Sequence, residues 1–144
     1  DVLLAHHGAE AYLGRLALSG VLHRHPGLRI VVAEHGAAWL PGFLATLDAV
    51  RTAFAGVRGA LPSEVRDGPP PSEVLRRQVA VVPTVLDDVA ALTTLLGPGL
   101  LAFGRDFPHP EGGVDPVART TAGMSERARA AFQRETADRV LPGG

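Results

Sequence analysis

The 144-residue chain contains no cysteine and no lysine. Without thiols, disulfides and thiolate metal sites are excluded. The positive charge rests on 14 arginines, a bias of coding rather than of chemistry. An excess of either sign is also missing: 14 basic and 15 acidic residues leave a formal charge of −1, and the pI is near 6.6. That balance argues against a nucleic-acid binder, which carries a basic surface. No apolar run reaches the ~18 residues that span a bilayer, and no signal-peptide pattern is legible. The expected setting is the cytoplasm, with neither nucleic acid nor membrane as a partner. Methionine occurs once, at Met124. The chain therefore does not start at a start codon, and Asp1 opens onto an apolar run already under way. The expectation is a fragment lacking an N-terminal part. What is plentiful is hydrophobic residues, 46% of the total, enough for one domain with a real core.

Short apolar runs alternate with helical patterns. Runs near residues 2–6, 28–34, 79–83 and 100–104 read as strands, the second covered on both faces. Between them, Tyr12, Leu13, Leu16, Val21 and Leu22 give helical spacing over 10–24. Pro41 can open a second helix, since its missing N–H costs nothing at a first helical position. Phe43, Leu44, Leu47, Val50 and Phe54 mark its face. Residues 56–72 are rich in Gly and Pro and read as an exposed excursion. Asp87 and Asp88 suit the start of a third helix, with Val89, Leu92, Leu95 and Leu96 on its face. Asp115-Pro116 looks like another helix start. Ser125 can cap the last helix, which would bury Ala128, Phe132 and Val140. Four strands alternating with helices imply an α/β fold with parallel pairing and right-handed crossovers.

In such folds, functional groups gather at the carboxyl ends of the strands. His6-His7, Glu34-His35 and Arg105-Asp106 each follow a strand-like run, and Pro83-Thr84 ends the remaining one without an ionisable group. Imidazole and carboxylate together suit zinc or a similar divalent ion, and equally suit acid–base work. Each residue also has a plainer reading. Asp106 can cap its own loop, His35 can be a hydrogen-bonded structural histidine, and His6 and His7 can be polar loop residues. Arg105 can be a rim ion-pairing group or meet an anionic substrate. Trp39 packs on the adjacent helix or lines the rim. His23 and His25 suit a helix C-terminus, and Glu64 and Glu73 suit solvated helix starts.

Three ordered blocks resemble one family. They are "SGVLHRHPGLRIVVAEHGAAWLPGFLATLD", "PPSEVLRRQVAVVPTVLDDVAAL" and "LLAFGRDFPHPEG". They resemble the amidohydrolase-related family that includes aminocarboxymuconate semialdehyde decarboxylase and the resorcylate-type decarboxylases. The resemblance implies a partial (β/α)8 TIM barrel, parallel strands five to eight with outer helices, residues 1–144 forming its C-terminal half. It implies that Asp106 ligates a catalytic divalent metal, zinc foremost, and handles a proton. His35 corresponds to a histidine facing the substrate, with Glu34 competing for that place, and His109 matches a proline–histidine pair. His6 or His7 corresponds to a fifth-strand metal ligand. Arg105 stands where the family usually has serine. A complete barrel takes about 250 residues, so first-strand ligands lie outside this chain.

The function expected on this resemblance is that of a metal-dependent hydrolase or decarboxylase (carboxy-lyase). Its substrate would be a small carboxylated or cyclic organic molecule. Asp106, His35 and His109 are the candidate catalytic residues, and Asp106, His7 and His6 the candidate metal ligands. Glu34, Trp39 and Arg105 are the candidate substrate contacts. The parent is expected to be a homo-oligomer and the fragment alone inactive. A non-catalytic barrel remnant serving binding or assembly is the rival reading.

Overall fold

The computed structural model describes residues 4–104 and 116–141. Ala9, Leu13 and Ala17 recur every fourth residue and form one buried stripe. No proline or β-branched residue interrupts them, and the segment is helix α1 (Ala5–Leu18). Of the strand expected at 2–6, Val2 and Leu3 lie outside the described residues, and Ala5 and His6 are already helical, which corrects the expectation there. The four-residue repeat that begins at Ala9 outweighs a few apolar residues before it. Gly20, with φ of +79°, then breaks the helix expected over 10–24, and α2 (Val21–Arg24) starts afresh.

The chain forms two compact units, one of residues through Arg29 with Trp39–Val79, the other of Ile30–Ala38 with residues from Ala80 onward. The first unit is helical. Its core includes Leu13, Leu22, Leu40, Val65 and Leu75. Helix α3 (Leu40–Phe54) carries Pro41 in its first turn, and buries Leu40, Leu44 and Leu47. Phe54 is exposed, against expectation. Residues 56–72 are not a bare excursion, because they contain α4 (Ser63–Asp67), with Val65 fully buried. Arg51 holds that short helix in place. Its Nε donates to the Val65 carbonyl at 2.7 Å, and its guanidinium donates to the carbonyls of Arg66 and Gly68 at 3.0 and 2.9 Å. These are the carbonyls that a helix C-terminus leaves without partners. Helix α5 (Pro71–Gln78) packs on α3 and α1. Asp48 of α3 accepts from the Ser72 amide at 3.0 Å and from its hydroxyl at 2.5 Å. The buried Gln78 donates to the Leu22 carbonyl at 2.7 Å.

In the second unit, β1 (Ile30–Val32) joins β2 (Val79–Val81), whose first residue falls in the helical unit, in a parallel two-stranded sheet. The Val82 amide donates to the Val32 carbonyl at 2.8 Å. Leu101 extends the order through a parallel bridge to Val81. Pairing thus follows chain order, as expected, over shorter stretches. Val79, Ala80 and Val81 are all fully buried. Val31 is 44% exposed, so β1 is not covered on both faces.

Helix α6 (Val89–Leu96) is capped by Asp88, which accepts from the Ala91 amide at 3.0 Å. Val89, Leu92, Thr93 and Leu96 form its buried face. Leu95, expected there, is 71% exposed. Helix α7 (Pro116–Thr121) follows, then α8 (Glu126–Ala130), N-capped by Ser125 as expected. A π-helical turn over Ala131–Glu135 leads into α9 (Thr136–Val140). Phe132 and Val140 are buried as the sequence implied. In the widened turn, the Phe132 carbonyl accepts the Phe103 amide at 2.8 Å, and the two rings meet edge to face at 5.9 Å. Gly104 lies so close to Val82 that a Cβ there would stand 2.6 Å from the valine Cγ1.

Candidate functional site

The chain leaving β1 carries Glu34, His35 and Gly36 before it reaches α3. Two of the three have left-handed backbone: Glu34 with φ of +67° and Gly36 with φ of +63°. Glu34 is the one non-glycine residue with positive φ among the described residues. Such a conformation costs an L-residue energy and persists only where surroundings impose it. A carboxylate holds the backbone just beyond this pair. Asp87 Oδ1 accepts from the amides of Ala37 and Ala38 at 3.1 and 3.0 Å. Its Oδ2 accepts from Ala37 as well, at 3.1 Å. The same Oδ2 accepts from the Thr84 amide at 2.7 Å and hydroxyl at 3.1 Å. The loop after β1 and the loop after β2 are thereby joined through one side chain. A Cβ on Gly36 would lie 3.5 Å from Asp87 Oδ2, so glycine there meets both the backbone angle and the close carboxylate.

His35 sits half-buried in this loop. Its Nδ1 is buried and has no hydrogen-bond partner among the described residues. Glu34 is exposed. Trp39 stands edge to face on Phe43, with ring centroids 5.3 Å apart. Arg105, Asp106 and His109 lie outside the described residues.

His6 and His7 ride the first turn of α1 rather than a strand end. Their rings meet at 4.3 Å and 70°. With Glu10 they form a three-residue group whose possible ligand atoms all lie within 4.8 Å of one another. Two imidazoles and a carboxylate are a donor set that fits a divalent transition metal. Helical geometry explains the convergence, since Glu10 is four residues from His6 and three from His7. Sequence reasoning missed Glu10 because it read His6-His7 as a strand end, where a residue three or four further on has no reason to return. It missed Asp87 differently. Asp87 and Asp88 together read as a helix start, yet one carboxylate suffices to cap. The spare acid was the available signal.

Solved structures with this architecture include an amidohydrolase from Mycobacterium avium subsp. paratuberculosis K-10. It is 27% identical with a TM-score of 0.76, over 96% of this chain and 35% of that one. A 5-carboxyvanillate decarboxylase from Sphingomonas paucimobilis is 26% identical with a TM-score of 0.61, over 88% of this chain and 37% of that one. A dihydroxybenzoic acid decarboxylase from Polaromonas sp. JS666, solved with manganese and the inhibitor 2-nitroresorcinol, shares the fold. It has 17% identity and a TM-score of 0.63, over 91% of this chain and 39% of that one. The chain thus spans a little over a third of the length of these structures. A comparison with curated proteins finds none that matches. The family model described as amidohydrolase matches residues 4–143. On that match, which covers nearly every residue, the chain belongs to the amidohydrolase family.

Proposed function

We propose that this chain supplies C-terminal strands, with their outer helices, of the (β/α)8 barrel of a metal-dependent carboxy-lyase or hydrolase. The observation that carries the reading is the family match over residues 4–143. The 26% identical 5-carboxyvanillate decarboxylase supports the lyase side. The substrate is a small carboxylated or cyclic organic molecule, and the whole protein is a cytoplasmic homo-oligomer. Among the described residues, no helix is long and apolar enough to cross a membrane.

The metal is a divalent ion. Zinc suits the imidazole and carboxylate donors, and manganese is the ion in the Polaromonas decarboxylase. His6, His7 and Glu10 would contribute ligand atoms as one group; on the resemblance alone, Asp106 is the family's metal-binding carboxylate. When bound, a divalent ion supplies an electrophile that polarises substrate or lowers the pKa of bound water. Asp106 would take or return a proton. His35, in a loop whose backbone is held, orients the substrate or relays that proton, with His109 as its alternate. Glu34, Trp39 and Arg105 line the substrate, and Arg105 suits a carboxylate group through paired N–H donors.

The test compares the intact protein with its Asp106→Asn variant, both assayed for metal content, for decarboxylation of hydroxylated benzoates and for ester and amide hydrolysis. The variant should lose at least about a thousandfold in turnover and retain less metal, whereas His109→Ala should cost less. Undiminished turnover in the Asn variant would place the metal chemistry elsewhere. An intact protein that holds metal yet turns over neither class would favour a binding module.

A further inference from the structure

The geometry points to Asp87 as a positioning residue for His35, an inference that rests on the reading of the His35 loop as part of the active site. The imidazole has no hydrogen bond at its buried Nδ1 among the described residues. The backbone that carries it thus bears on its placement. That backbone is left-handed on both sides of His35, at Gly36 freely and at Glu34 at a cost. The side chain that fixes it belongs to a residue 50 positions away. Asp87 accepts from two successive amides just past the left-handed pair and from both donors of Thr84. Hydrogen bonds to an ionised acceptor are the strong ones. The arrangement also resists substitution. An amide in place of the carboxylate would turn an NH2 group toward a donor, either at Thr84 or at Ala37 and Ala38. Asp88, next in the chain, is spent on capping α6 and cannot replace it. The pair Asp87-Asp88 thus splits two tasks, one local and one across the loops.

The experiment uses the protein labelled with 15N at histidine and alanine, without substrate. In Asp87→Asn, amide hydrogen exchange at Ala37 and Ala38 should quicken about tenfold or more. The His35 ring nitrogens should shift toward a mixture of tautomers, while the His23 ring and the Ala102 amide keep their values. Asp87→Ala should move the same signals further. A clasp that merely adds stability would speed exchange at all alanines together and leave the His35 ring signals where they were. That result in either variant overturns the assignment, and if Asp87→Ala does not fold, Asp87→Asn decides alone. Because no substrate is involved, a failure to find catalysis in the unaltered protein counts against the proposed function and not against this role of Asp87.

Discussion

The charge on Glu64 shows how a single residue can tie two helices. Its carboxylate accepts from Arg24 at 2.5 Å, linking α4 to α2. Its pKa falls from 4.5 to about 2, chiefly through the Arg24 hydrogen bond, then through the backbone amide and Ser63. A carboxylate whose pKa is lower when folded contributes stability that is fully present above its unfolded value. The contribution is lost as pH falls through its folded value. Between about pH 4.5 and 2, the wild-type chain should therefore lose stability that Glu64→Gln never had. Acid titrations of the two should converge over that window, and added salt should shrink the gap, since the pair is partly exposed. Parallel curves through the window would sink the claim. Partners such as this one were not legible beforehand. Glu64 was readable as a helix-start acid from its neighbours, but Arg24 lies 40 residues away, and only the fold brings the two together.

At the scale of elements, the short α4 depends on a side chain outside itself. Five residues are too few to hold a helix by propensity. Arg51 compensates with three donated hydrogen bonds to its C-terminal carbonyls. Arg51→Met keeps the apolar stem and removes the donors. It should cost about 2 kcal/mol, read by urea denaturation, and should release the amides of 63–67 to fast exchange. A variant within about 0.5 kcal/mol of wild type would mean that solvent serves those carbonyls equally well. Elements with a strong local signal were readable in advance. The Pro41 helix start, the Asp88 and Ser125 caps, and the strand runs expected at 28–34 and 79–83, of which 30–32 and 79–81 pair, are of that kind. What was not readable had no local cause. The first apolar residues look the same ahead of a strand or a helix, and α1 is decided by Ala9, Leu13 and Ala17 further on. Leu95 reads as a core residue by composition, but the buried face of α6 runs through Val89, Leu92, Thr93 and Leu96. The candidate site was legible as residue types, Glu34 and His35 included. The clasp that shapes it was not, because a carboxylate's reach across two loops leaves no periodicity.

For the whole molecule, the two-stranded sheet pairs β1 on one side only among the described residues. Val31 is 44% exposed, and Leu86, at 81%, adds apolar surface. Unpaired edges and exposed aliphatics promote association. Expressed alone, these 144 residues should dimerise or aggregate at micromolar concentration. Sedimentation velocity showing one compact monomer would contradict that. The two units also divide the chain unevenly, since Ile30–Ala38 belongs with residues that come after Val79. This has a consequence for the order of events on the ribosome. The Glu34–His35 loop is made some 50 residues before the carboxylate that will hold it. At roughly 5–20 residues per second, it waits for several seconds outside its final conformation. The helical segments on either side of it are complete before that carboxylate is made. The proposed catalytic loop is thus among the last parts of its neighbourhood to settle, and a pause in translation after Val79 would lengthen that interval without changing a single residue.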